Sequence, residues 1–187
     1  MQGSLFPPKY SLYTDLLSAQ GYHVGYTGKP WAPGSWQAGG RHRDPCGEAY
    51  NKRRLEPPTS KISSIDYSAN FDDFLTTRPE GSPFCFWFGC YEPHRDYEDG
   101  SGQRSGMNVE DITPPPSLPD NPTVRSDLLD YFLEIEWFDE QLGKIVDSIE
   151  RSGELENTLI LVTSDNGMPF PRAKATLYEW GTRMPFA

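Results

Sequence analysis

Leu128, Phe132, Ile135, Phe138, Leu142, Ile145 and Ile149 recur at steps of three and four residues. That spacing sets them on one stripe of a helix about six turns long. It predicts a helix from about Thr123 to Ser152. Asn121 is placed to cap it, Pro122 suits its first turn, Asp127 sits near the positive end of its dipole, and Gly153 stops it. An apolar stripe of this length must be covered by other elements. After a short loop comes Thr158-Leu-Ile-Leu-Val-Thr163, which reads as a buried strand, with Ser164-Asp165-Asn166-Gly167 at its carboxyl end. Helix, short loop, buried strand and then polar residues is the pattern of an α/β sheet whose ligands bind beyond the strand ends.

The rest of the chain fits that class. Tyr10–Gln20 reads as a helix with Leu12, Leu16 and Ala19 on one face and Gly21 as its stop. His23–Thr27 follows as a short strand, broken by Gly28-Lys29-Pro30-Trp31. Ala32–Ser64 is rich in Gly, Pro and charge without a sustained period, and reads as a long surface excursion. Phe84–Tyr91 is a continuous apolar run that suits a strand covered on both faces, as in a parallel sheet. Glu92-Pro93-His94-Arg95 ends it, and Asp96–Pro122 is again loop, stiffened by Pro114-Pro115-Pro116. The expected fold is α/β, a mostly parallel sheet between helix layers.

Composition removes several functions. With 27 acidic against 17 basic side chains and a net charge of -10, the chain lacks the basic face of a nucleic-acid binder. No stretch approaches the roughly 20 apolar residues of a membrane span. Met1–Tyr10 has neither the basic nor the apolar region of a secretory signal, so the compartment is left open. Cys46, Cys85 and Cys90 are odd in number and outside any CxxC pattern, which argues against a structural zinc site or a disulfide framework. An apolar share of 36% is low for a free-standing domain and suggests that part of the core comes from elsewhere.

Several polar residues stand just past strand ends. Asp165 and Asn166 offer two hard oxygen donors of the kind Ca²⁺ or Mg²⁺ takes, although Asn-Gly is also a turn signal. Met168-Pro-Phe-Pro171 is poorly suited to return as a ladder strand, which speaks against a tight hairpin there. Lys174, nine residues after Asp165, would repel a cation unless an anion lay between them, so an anionic substrate is the sensible third party. His94 suits proton transfer near neutral pH, and Lys29 repeats the placement at another strand end. His23 and His42 have no such setting.

These segments resemble a known family. Asn157-Thr-Leu-Ile-Leu-Val-Thr-Ser-Asp-Asn-Gly167 resembles the second metal-binding segment of sulfatases, in the alkaline phosphatase superfamily. Gly25-Tyr-Thr-Gly-Lys29 is similar to their Gly-Lys segment, and Tyr91-Glu-Pro-His94-Arg95 to their Pro-His segment. Pro169–Tyr178 and Gly181–Pro185 resemble the stretch that closes their catalytic domain. The order and approximate spacing match over essentially the whole chain, in the manner of the heparan N-sulfatase-like branch. The resemblance implies a partial alkaline-phosphatase-like sandwich and a calcium-dependent hydrolase of sulfuric esters or sulfamates, acting on a sulfated carbohydrate. It makes Asp165 and Asn166 calcium ligands. Lys29 and Lys174 would hold sulfate oxygens, and His94 would stand near the bridging oxygen of the leaving group. Trp31, where many members carry a His, and Arg172 become candidates for substrate contact.

The same resemblance exposes what is missing. The family's formylglycine nucleophile arises within a Cys/Ser-x-Pro/Ala-x-Arg motif, and none occurs here; its first acidic metal-binding pair is also absent. The expectation is a partial catalytic domain over residues 1–187, without the nucleophile segment and without a C-terminal subdomain, inactive by itself. A metal-dependent phosphoesterase of the same superfamily and a non-catalytic anion- or carbohydrate-binding homologue are the alternatives. A strand missing from the sheet would also leave an exposed apolar groove beside the strand that ends at Asp165.

Overall fold

A computed structural model describes residues 4–31 and 34–187. Ala32 and Pro33 of the expected excursion, and the first three residues of the N-terminal reading, lie outside the described residues. The chain divides into two compact units, Met1–Pro57 with Ser63–Tyr91, and Pro58–Ile62 with Glu92–Ala187.

The first unit holds helix α1 (Tyr13–Ala19), strands β1 (His23–Gly28) and β2 (Glu48–Ala49), helix α2 (Tyr67–Thr77) and strand β3 (Phe84–Gly89). The sheet runs β2-β1-β3, with every pairing parallel. β1 and β3 are in register from His23↔Phe84 to Gly28↔Gly89. Parallel strands need a crossover, and α2 lies in the one that carries the chain from β2 past β1 to β3. The Asp66 side chain caps α2 by accepting from the Ala69 amide at 2.9 Å. Tyr67, Phe71 and Phe74 are fully buried on it. The Phe74 ring stacks on His23 with centroids 4.7 Å apart and meets Phe86 at 4.6 Å. Phe71 approaches Phe86 at 4.9 Å, and Tyr67 approaches Phe88 at 5.2 Å.

The second unit is built on α4 (Pro122–Arg151), with short helices α3 (Ser101–Arg104) and α5 (Glu179–Thr182) and two single-turn 3₁₀ segments. The expected start of α4 is seen: Asn121 Oδ1 accepts from the Val124 amide at 3.0 Å, and Pro122 occupies the first turn. Leu128 packs with Tyr97 and Phe170 in a cluster flanked by Ile112, Leu118, Val124, Tyr131 and Met168. Asp130, also buried, accepts from the Gly100 amide at 2.9 Å and the Gly102 amide at 2.8 Å, tying α3 to α4.

The α/β class expected from the sequence is the class observed, with four local corrections. Thr158–Thr163 is not a buried strand. Leu159 is 82% and Leu161 60% exposed, and among the described residues the segment's ladder is limited to an antiparallel bridge between Thr163 and Phe186 beside paired Val162 and Ala187 backbones. Phe84–Tyr91 does form a strand to Gly89, yet it is the edge of the three-stranded sheet, with Trp87 exposed. In α1, Leu16 points to solvent and Thr14 is the buried residue, because Arg41 and Arg43 pair with Asp15 and fix that turn by its polar side. In α4, Phe132 is exposed, whereas Glu134 and Gln141 are buried, so the covered face is rotated from the purely apolar stripe.

Candidate active site

Lys29 follows β1 in the first unit. Its amide donates to the Gly89 carbonyl at 2.5 Å, and its own carbonyl accepts from Trp87 Nε1 at 3.1 Å. Gly28 before it has φ 79°, and a Cβ there would collide with the Gly89 carbonyl, so only glycine fits this turn. Asn51 clasps the turn from the side. Its Oδ1 accepts from the Gly28 amide at 2.7 Å and from Thr27 Oγ1 at 3.1 Å. Sequence reasoning did not single out Asn51; no local pattern marks a side chain that acts 23 residues from its partner. Trp31 is half-buried against the Phe6 ring, at a centroid distance of 4.8 Å.

The second unit contains His94, Asp165, Asn166, Arg172 and Lys174. His94 is exposed, and its Nδ1 lies 2.5 Å from the Arg95 carbonyl. A carbonyl can only accept, so Nδ1 carries the hydrogen and Nε2 is the nitrogen left to exchange a proton with a ligand. Asp165 is exposed, and its carboxylate makes no hydrogen bond or ion pair among the described residues. Asn166 Nδ2 donates to the Gly167 carbonyl at 2.9 Å, which leaves its Oδ1 as an acceptor or ligand. A Cβ at Gly167 would strike the Trp180 carbonyl, so the glycine after Asn166 is required by close backbone approach. The Asn-Gly pair does not make a hairpin tip: the chain regains antiparallel pairing only at Phe186 and Ala187.

From Met168 to Lys174 the backbone folds on itself. The Phe170 and Lys174 amides both donate to the Met168 carbonyl, at 2.8 and 3.0 Å, and the Ala173 amide donates to Phe170 at 3.2 Å. Ala173 is fully buried and Phe170 is seated in the apolar cluster. Arg172 and Ala175, on either side of Lys174, have φ of 62° and 64°. Non-glycine residues in that region cost about 1–3 kcal/mol each and persist where surrounding contacts hold them. Lys174 is half-buried, whereas Arg172 is exposed. The Pro-His segment is tied to this loop by Arg95 Nε, which donates to the Pro169 carbonyl at 3.3 Å.

Asp165 and Asn166 have the donor chemistry calcium takes, and the unpaired Asp165 carboxylate is available to a cation. Among the described residues, however, no group of three or more His, Cys, Asp or Glu side chains is placed to hold a metal ion. The pair therefore supplies only part of a shell of roughly 6–8 oxygens. Glu134 is the strongly perturbed acid of this unit. It is 3% exposed, its Oε1 has no hydrogen-bond partner, and burial, with Glu92 and Asp96 nearby, pushes its carboxyl up to about 8.

Comparison with known proteins places this geometry in a class. A sulfatase family profile matches residues 6–186, and the chain belongs to the sulfatase family. It is 29% identical to human N-sulphoglucosamine sulphohydrolase over 133 residues, covering 60% of this chain and 26% of that protein. It is 26% identical to human N-acetylglucosamine-6-sulfatase over 158 residues, covering 74% and 28% respectively. An ulvan-active sulfatase of Formosa agariphila is 37% identical over 71 residues, 38% of this chain and 12% of that one. The chain thus spans about a quarter of the length of the two human relatives.

Proposed function

We propose that this chain is part of a calcium-dependent hydrolase of sulfuric esters or sulfamates whose substrate is a sulfated carbohydrate. The observation that carries the reading is the 164–174 loop, which brings a free carboxylate, an amide oxygen and a half-buried lysine onto one short, strained, anchored segment. An ammonium held close to a cation site is favourable only with an anion between them. Lys174 would neutralise sulfate oxygens. As an imidazolium, His94 would give its Nε2 proton to the leaving oxygen or nitrogen, which limits the charge developing there and leaves the neutral ring with its hydrogen on Nδ1. Calcium, when bound partly by Asp165 and Asn166, would supply further charge compensation to the sulfate group.

The names of the two human relatives support an N- or O-sulfated amino sugar as substrate class. The Cys/Ser-x-Pro/Ala-x-Arg motif is absent from the 187 residues, so we also propose that this chain binds without turnover. Calorimetric titration with N-sulfoglucosamine in calcium buffer tests both points. Binding should weaken about tenfold or more in Lys174→Ala, as expected for loss of a charge-assisted contact; glucosamine should bind neither form. Equal binding by wild type and Lys174→Ala would refute the site. Release of sulfate above the Lys174→Ala control would refute the absence of turnover. Tighter binding of glucosamine phosphate would favour the phosphoesterase reading instead.

A further inference from the structure

We propose that Arg95 is a positioning residue, which holds the Lys174 loop in the shape that presents the lysine ammonium. What Lys174 binds rests on the function proposed above; how Arg95 holds the loop does not. Arg95 contacts three parts of this unit at once. Nη1 and Nη2 donate to Asp127 Oδ1 and Oδ2 at 3.0 and 2.7 Å, and Nε donates to the Pro169 carbonyl at 3.3 Å. Its guanidinium also lies 4.8 Å from the ring centroids of both Tyr97 and Phe170. One planar cation therefore joins the first turns of α4, the aromatic cluster and the entry to the 168–174 loop.

The loop depends on such anchoring. Pro169 and Phe170 are the residues Arg95 grips, and the Phe170 carbonyl in turn accepts the Ala173 amide. The Lys174 amide closes on Met168, next to Pro169. Left-handed Arg172 and Ala175 bracket Lys174, so an unanchored loop would relax by rotating there and would turn the lysine away. Lysine cannot replace Arg95, because a point charge lacks the bidentate fork and the planar face that stacks on two rings. Asp127 is the second member of the device, since it fixes the fork from α4.

Amide hydrogen exchange of the whole chain, wild type against Arg95→Met, Arg95→Lys and Asp127→Asn, decides the matter. The Ala173 and Lys174 amides should exchange about tenfold faster in Arg95→Met and Asp127→Asn, and by a smaller factor in Arg95→Lys. The Ile145 and Ile149 amides of α4 should keep their wild-type rates. Titration with N-sulfoglucosamine adds a readout that a structural role would not produce: Arg95→Met should weaken binding in wild type and do nothing further in Lys174→Ala. Unchanged Ala173 and Lys174 exchange would overturn the proposal, as would equal acceleration throughout α4. Should Arg95→Met fail to fold, Arg95→Lys and Asp127→Asn carry the same criterion. If wild type binds no sulfated sugar, the proposed function fails, while the exchange rates still decide the role of Arg95.

Discussion

β3 bonds to β1 along its whole length and sets Phe84, Phe86 and Phe88 against the rings of α2. Thr158–Thr163, by contrast, pairs only at its end and leaves Leu159 and Leu161 in solvent. Both are six-residue runs dominated by large apolar side chains. The difference lies in their neighbours. β3 has a partner strand already ordered by the Asn51 clasp and a helix whose aromatic face fits it. Apart from local bonds of Thr158 to Glu154 and Leu155, the later segment bonds, among the described residues, only to the C-terminal Pro185, Phe186 and Ala187. Apolar composition makes a segment able to be a strand; a sheet edge in reach makes it one.

The sharpest way to break this contrast is to remove the ring on which β3 depends. Phe74→Ala should cost about 3–5 kcal/mol, because a fully buried ring touching His23, Tyr50, Phe71, Phe84 and Phe86 is replaced by a cavity. Urea unfolding followed by far-UV circular dichroism should show the first transition moving to lower urea.

A second variant sharpens the contrast along a pH axis. Folded Glu134 keeps its proton up to about 8, whereas the ordinary value is 4.5, so the folded state binds more protons between those values. Stability should fall as pH rises through that window, and the full cost should be present above it. Glu134→Gln should flatten the profile and gain about 1–3 kcal/mol at the alkaline end, the scale of an unsatisfied buried polar group. Thermal melts of both proteins across that pH range check it.

Smaller effects complete the series. Asn51→Ala should cost about 1 kcal/mol through loss of its bonds to Gly28 and Thr27, and should raise exchange of the Gly28 amide. Leu161→Ala should change stability by less than about 0.5 kcal/mol, because its side chain is already in water. A Leu161→Ala cost comparable to that of Phe74→Ala would show that the later segment is packed after all, and the contrast would collapse.

What could be read from the sequence follows the same division. Asn121, Pro122 and Gly153 announced α4 because caps act within a few residues. Gly28-Lys29 and Asp165-Asn166 were legible as polar residues past apolar runs. α2 was unanticipated, although Tyr67, Phe71 and Phe74 stand at helical spacing behind the Asp66 cap. The burial of Thr158–Thr163 was misjudged because periodicity reports apolarity and not the presence of a partner. Asn51, Arg95 and Asp127 were invisible as a supporting set, since each acts on residues 23 to 74 positions away.

The central claim is that this chain carries the charged half of a sulfatase site. Its most direct test is a backbone NMR titration of the 187-residue protein with N-sulfoglucosamine in calcium buffer. The account predicts shifts concentrated at Ser164–Gly167, Lys174 and His94, abolished by chelating calcium or by Asp165→Asn. The β3 and Leu159–Leu161 amides should not move. Shifts that ignore calcium and Asp165, or that fall mainly outside those residues, would contradict it.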